Sequence, residues 1–277
     1  MGTNRMNVGN VEIISLSDAD LEFEPTAFFP GVPAEAWAPY DEFLGSDKKF
    51  RPNAGCFAVR SQGTTILVDT GVGDGLAALG GIKGRLMHEL SNNGISLEEV
   101  SIVAFTHLHP DHVGWNISNT EGTLKPTFPN ARYISPRVDW DYFTRADILE
   151  QFPHIKDTVI PLQEQGVLEL IDANSTITNE LSTIASPGHT PGHVCMLISS
   201  QGQRCLILGD VAHSPVQAHE TDWNCGFDAD KDQSRLTRHA IFDMLEQEGI
   251  LAAAGHFPFP SFGHIMRGEG RRYWQKP

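Results

Sequence analysis

Three histidines and an aspartate fall within six consecutive residues, His107-Leu108-His109-Pro110-Asp111-His112. The apolar run at 102–105 ahead of them reads as a buried strand that delivers a loop at its C-terminal end, the usual place for chemistry in open α/β sheets. Imidazole and carboxylate together are ligands for zinc or a similar first-row divalent ion. Side chains alternate along an extended backbone, so His107 and His109 leave on one side and can bind a single ion. Asp111 and His112 lie past the Pro110 turn, point elsewhere, and can hold a second.

Three further segments carry a candidate ligand next to a glycine after an apolar run: Ser186-Pro187-Gly188-His189-Thr190-Pro191-Gly192-His193, Leu206-Ile207-Leu208-Gly209-Asp210, and Ala252-Ala253-Ala254-Gly255-His256. Singly, each reads as a polar turn. Together with the central loop they form a recurring strand–glycine–ligand arrangement. Thr65-Ile66-Leu67-Val68-Asp69 is a further buried strand ending in a carboxylate, followed by Gly71, Gly73 and Gly75. A dinucleotide loop would need a third glycine where Leu76 stands, and no Gly-Lys-Ser/Thr follows, so a nucleotide loop is rejected.

These ligands need elements to position them. Strands are expected at 11–16, 56–60, 65–69, 132–134, 168–172, 182–185, 194–198 and 204–208, with helices at 77–90, 136–145 and 231–249. Ser96 and Glu99 read as a capping box. In the last helix Leu236, Ala240, Ile241, Met244 and Leu245 share one apolar face, and Gly249 sits where a C-cap belongs. Strand pair, ligand loop and helix occur twice, which predicts an α/β sandwich of two similar βα halves, sheets inside and helices outside. No linker separates the halves, so residues 1–277 read as a single domain. The proline- and aromatic-rich stretch 21–50 has no clear period and reads as an irregular arm or lid.

With 35 acidic against 20 basic residues the formal charge is −15, which argues against nucleic-acid or anionic-membrane partners. Hydrophobic residues make up 40% and charged residues 20%, as in ordinary soluble globular proteins. No apolar run approaches the roughly 20 residues of a membrane span, and the polar N-terminus carries no secretory signal core. Four scattered cysteines suggest neither a disulfide framework nor a cysteine metal cage. The expectation is a cytoplasmic protein acting on a small molecule, with a homodimer as the partner expectation.

The combined pattern resembles the metallo-β-lactamase-fold hydrolase superfamily, whose signature is HxHxDH followed by a histidine, an aspartate and a last histidine. The match spans about residues 11–267. The resemblance implies an αββα four-layer sandwich with the metal site at one edge. It implies His107, His109 and His189 on one ion, Asp111, His112 and His256 on a second, Asp210 bridging both, and Asp69 orienting the ligand loop without binding metal. Two divalent ions are implied, zinc the expected pair, with manganese, cobalt and iron compatible.

The segment from Gly255 to His264, rich in phenylalanine and proline, is similar to the methyl-parathion-hydrolase-like branch, which neighbours the acyl-homoserine-lactone lactonases. One departure stands out: those lactonases carry a tyrosine three residues beyond the bridging aspartate, where this chain has His213. The function implied is hydrolysis of a lactone or carboxylic ester by attack of a metal-bridging hydroxide. Asp111 would handle the proton, and His213 would meet the leaving group or an oxyanion. Trp115 and Phe257 would wall the substrate cavity. Organophosphate triester hydrolysis and a glyoxalase II-like thioesterase are the alternatives. A mononuclear iron oxidoreductase, such as a persulfide dioxygenase, is the alternative from another class, and the second ligand set speaks against it.

Overall fold

A computed structural model describes residues 3–120 and 122–277. The first half builds a seven-stranded sheet from β1 (Arg5–Val8), β2 (Val11–Asp20), β3 (Asn53–Ser61), β4 (Thr64–Val68) and β5 (Val100–Ala104), then, after a small two-stranded sheet of β6 (Ile117–Thr120) and β7 (Thr123–Pro126), β8 (Arg132–Pro136) and β9 (Leu168–Ile171). The second sheet runs through β10 (Thr176–Thr178), β11 (Leu181–Ala185), β12 (Val194–Ser200), β13 (Gln203–Ile207), β14 (Leu251–Ala253), β15 (Phe262–Gly268) and β16 (Arg271–Gln275) in simple order.

Side-chain alternation explains the layers. On β2 to β5, Ile13, Phe57, Val59, Ile66, Val68, Ile102 and Ala104 face one core, where they meet Met196, Ile198, Ile207 and Ala253 of the other sheet. Their neighbours Ile14, Cys56, Ala58, Leu67 and Val103 face the opposite way, onto Leu86, Leu90, Phe143, Ile155 and Leu162 of the outer helices. Both faces of each strand are thus buried, which is why these strands read as near-continuous apolar runs. Helix Lys231–Glu248 covers the other sheet through Ile241, Phe242 and Leu245 against Leu206, Leu208 and Ala252. The result is the αββα sandwich expected.

Two local expectations are corrected. The stretch 77–90 is a short 3-10 turn, Ala77–Leu79, followed by a separate helix, Leu86–Asn92, because Gly80 and Gly81 both adopt positive φ and break the chain between them. In the last helix the buried face is Ser234, Arg238, Ile241, Phe242 and Leu245. Leu236 is 57% exposed and Ala240 points outward; a buried arginine takes the place that an apolar count gave to leucine. Gly249 does cap this helix, at φ 61°, and Ser96 Oγ does accept the Glu99 N–H. The arm at 21–50 contains a helical turn, Pro25–Phe28, and a kinked 3-10 segment, Ala34–Phe43. Phe28, Phe29, Trp37 and Phe50 form a small core of their own against Val216 and Cys225. Among the described residues no helix is long and apolar enough to cross a membrane.

Strand direction decides where ligands can gather. β4 and β5 are parallel, as are β13 and β14, and β11 shares their sense through two antiparallel pairings with β12. Asp69, His107, His189, Asp210 and His256 all follow the C-terminal ends of these strands. Asn53, at the start of antiparallel β3, stitches the two sheets there: its Nδ2 donates to Gly255 O at 2.9 Å.

Candidate metal centre

The ligand loop after β5 is held from three directions. Asp69, itself in the left-handed region at φ 60°, accepts from Thr106 N at 2.8 Å, Thr106 Oγ1 at 2.7 Å and His112 Nδ1 at 2.8 Å. Buried His154 donates from Nε2 to Leu108 O at 2.9 Å, between the two paired histidines. Gly114 N donates to Gly71 O at 2.8 Å, and the backbones lie so close that a Cβ on Gly114 would meet Val72 C at 2.2 Å. Only glycine fits there.

His107, His109, His189 and Asp210 present donor atoms within 4.8 Å of one another; so do Asp111, His112 and His256, and so do Asp210, His213 and His256. The Asp210 carboxylate is shared. Its Oδ2 lies 3.0 Å from His256 Nε2, 3.1 Å from His189 Nε2, 3.3 Å from His213 Nε2 and 3.7 Å from His107 Nε2, and its Oδ1 lies 3.2 Å from His112 Nε2.

The remote nitrogens settle the tautomers. His112 Nδ1 donates to Asp69, His189 Nδ1 to Asp228 Oδ1 at 2.9 Å, and His256 Nδ1 to Asn53 O at 2.7 Å. Thr106 Oγ1 gives its proton to Asp69 and accepts from His107 Nδ1 at 3.0 Å. In each neutral ring the proton is therefore outside and the Nε2 lone pair inside. His109 Nδ1 and His189 Nε2 meet at 2.9 Å, and the buried atoms His107 Nε2, His112 Nε2 and Asp210 Oδ1 have no hydrogen-bond partner. Converging lone pairs and a shared carboxylate are stable only around positive charge. The donor set fits divalent cations, and these residues could hold them.

Without cations, protons take that role. Burial alone would raise Asp210, but the surrounding imidazoles, His256 foremost, hold it well below the usual carboxylate range. Burial lowers His189, yet Asp210 and Asp228 more than offset this and bring it to about 9. His107 and His109 are pushed far down by burial and by neighbouring imidazoles.

Asp210 itself rides on Gly209, whose φ of 53° and contact with His193 Nε2, 2.5 Å from a built Cβ, admit no side chain. His193 Nε2 accepts the Asp210 backbone N–H at 2.9 Å while Nδ1 faces Ser186 Oγ at 2.8 Å; burial lowers it to about 3. It holds the backbone that carries Asp210. His213 is buried, stacked 5.2 Å from His256 and edge-on to Phe28 at 5.4 Å, and burial lowers it to about 4.

Of the two expected cavity aromatics, Phe257 has no exposed surface with which to wall a cavity. Phe257 is fully buried and packs on Trp274 at 4.8 Å in the core under the second sheet, because the chain turns back into β15 just beyond it. Trp115 is half-buried against the first core, its Nε1 donating to Asp18 at 3.1 Å. The exposed aromatic near the donors is instead Phe227, 54% exposed, which packs on the buried ring of Phe28 at 5.6 Å.

Asp228, Asp139 and Asp18 are residues that the sequence reading passed over. Asp228 stands two positions before Asp230, the true N-cap of helix Lys231–Glu248, and reads as a second capping candidate. Asp139 looks like an ordinary first-turn acid of helix Arg137–Phe143, but it is fully buried and clamps the His189 loop, accepting from Thr190 Oγ1 at 2.8 Å and Gly192 N at 2.6 Å. Burial raises its carboxyl from 3.8 to about 6, against the lowering effect of these bonds. The folded state thus holds this proton harder than the unfolded chain. The contribution is complete below pH 3.8 and lost as pH rises through about 6, a swing of about 3 kcal/mol. Urea unfolding at pH 4 and pH 7.5 should therefore show wild-type stability falling by about that much relative to Asp139→Asn. A constant difference between the two proteins would refute it.

A model of the Metallo-beta-lactamase superfamily matches residues 53–248. N-acyl homoserine lactonase of Bacillus cereus is 23% identical over 231 residues, covering 77% of this chain and 82% of that protein. Two solved structures superimpose over the whole chain and 97% of their own length at 24% identity. One is hydrolase AbOPH of the beta lactamase superfamily, with a TM-score of 0.87. The other is AidC, a dizinc quorum-quenching lactonase in complex with the product N-hexnoyl-L-homoserine, with a TM-score of 0.85. The chain belongs to the metallo-beta-lactamase superfamily.

Proposed function

We propose that this metal-dependent hydrolase opens lactone rings, acyl-homoserine lactones first among them, and cleaves related carboxylic esters, using a pair of divalent cations with zinc the expected ion. The observation that carries the reading is the Asp210 carboxylate shared between two histidine-rich donor groups. His107, His109 and His189 would hold one cation, Asp111, His112 and His256 the other, and Asp210 both. When bound, the pair would supply Lewis acidity toward a carbonyl oxygen and lower the pKa of a bound water to about 7. Relatives named N-acyl homoserine lactonase support the lactone over other esters.

The chain's own residues supply the rest. Asp111, less enclosed than its neighbours at 14% side-chain exposure, accepts the proton of the attacking water at a carboxylate oxygen and returns it to the departing alkoxide. His213, wedged between His256 and Phe28 with Nε2 3.3 Å from Asp210 Oδ2, would meet the leaving group or an oxyanion. Phe227, exposed and backed by buried Phe28, gives an apolar substituent a surface to lie on.

The test is metal content together with turnover of a homoserine lactone, an aryl acetate, an aryl phosphotriester and a thioester, each before and after chelation. We expect two equivalents of metal per chain and lactone or ester turnover that a chelator removes and added zinc restores. One iron per chain with none of the four substrates hydrolysed would overturn the reading.

A further inference from the structure

We propose that Asp228 is a positioning residue for the first cation: it fixes His189 in the tautomer that turns a bare Nε2 toward Asp210 and His109, and so governs how tightly that half of the centre holds its metal. This rests on the metal reading above, not on the choice of substrate.

The argument starts from an electrostatic cost. The Asp228 side chain is fully shielded from solvent, and the ion-pair partner it has among the described residues is an imidazole, His189. A buried carboxylate is expensive unless its neighbours carry positive character; Arg238 acts on it only from beyond ion-pair distance, which leaves His189 as the group in direct contact. Its second oxygen accepts from Cys225 N at 3.0 Å, which fixes the carboxylate plane and leaves Oδ1 for His189 Nδ1 at 2.9 Å. A carboxylate in that place forces the imidazole proton to Nδ1, sets the ring's rotation and makes Nε2 more basic toward a cation, as the partners of metal-binding histidines do. Backbone bonds align the two loops: Ala229 N donates to His189 O at 3.1 Å and Asp230 N to Gly188 O at 3.0 Å. The other half of the centre has its own orienting groups, Asp69 on His112 and the Asn53 carbonyl on His256. The two halves should therefore respond separately.

The same short loop is tied to the arm. Gly226 N donates to Phe28 O at 2.7 Å, and Phe227 lies against Phe23 and Phe28 at 5.9 and 5.6 Å. The carboxylate that aims His189 is thus anchored on the segment that borders the site.

The experiment is zinc binding to the metal-stripped full chain, followed by competition with a chromogenic chelator, for wild type, Asp228→Ala, Asp228→Asn and Asp230→Ala. We expect Asp228→Ala to weaken one of two zinc equivalents by about 10- to 100-fold and to leave the other unchanged. Asp228→Asn, which keeps an oxygen for His189 Nδ1, should recover most of that loss. Asp230→Ala removes the neighbouring helix cap and should lower the melting temperature without moving either zinc affinity, which separates positioning from general loosening of the loop. Nitrogen-15 spectra of the zinc-loaded wild type should show His189 protonated at Nδ1. Wild-type affinity at both equivalents in Asp228→Ala, equal weakening of both, or a wild-type chain that takes up no zinc overturns the inference. Selective loss of one equivalent supports it whether or not lactones are turned over, so failure of the substrate reading is seen separately.

Discussion

Asp210→Asn should lower lactone or ester hydrolysis by at least about a thousandfold, roughly 4 kcal/mol in the barrier, while the chain still folds. The carboxylate is the junction of the two donor groups, with five imidazole nitrogens at 3.0 to 3.7 Å. Asparagine matches its shape but carries no charge, so the converging lone pairs lose the anion that a pair of cations would share. The prediction is measured as kcat/KM, with metal content determined on the same sample. A variant holding two equivalents of metal and retaining a tenth of wild-type activity would sink the shared-carboxylate reading. Circular dichroism serves as the control for folding, since the sheets on either side bury their apolar faces independently of this side chain.

Arg238→Met should cost about 3–5 kcal/mol of stability, the scale on which losing a buried hydrogen-bond network acts. Arg238 is fully buried on the inner face of helix Lys231–Glu248. It donates to Thr221 O at 2.8 Å, Val211 O at 3.2 Å and Asn224 Oδ1 at 2.6 Å. Methionine fills much of the volume but leaves three acceptors unpaired, the two backbone carbonyls buried and Asn224 Oδ1 partly so, each buried one worth about 1–3 kcal/mol. Val211 follows Asp210 directly, so the loss should be accompanied by weaker metal retention. Urea denaturation measures the first effect and chelator competition the second. A loss below about 1 kcal/mol would mean that these acceptors find water, and that the guanidinium does not organise this segment.

The centre's ligand types were legible because they are local. His107, His109, Asp111 and His112 sit in one loop, and the period-two alternation of a strand is enough to place two imidazoles on one side. The strand–glycine–ligand repeats at His189, Asp210 and His256 marked strand ends for the same reason, and parallel strand direction then gathered them at one edge. The sandwich was legible in the apolar runs of β2 to β5, which only burial on both faces explains. Phe257 shows the limit of such reading: an aromatic beside a ligand looks like a cavity wall, yet its ring turns under the sheet onto Trp274.

By itself the sequence determined the ligand chemistry, the strands that carry it, and the two-halved layering, because each depends on residues close together along the chain. The tertiary structure decided which nitrogen of each imidazole faces inward, that Asp228 and Asp139 brace the His189 loop, that Arg238 belongs to the interior, and that the arm's Phe28 borders the site. Those assignments rest on hydrogen bonds between residues far apart in sequence, 39 positions for His189 with Asp228 and 51 for Thr190 with Asp139. Local propensity and periodicity carry no information about a partner at that distance; packing of the two layers brings such pairs into contact, and burial then obliges every polar group to find its match.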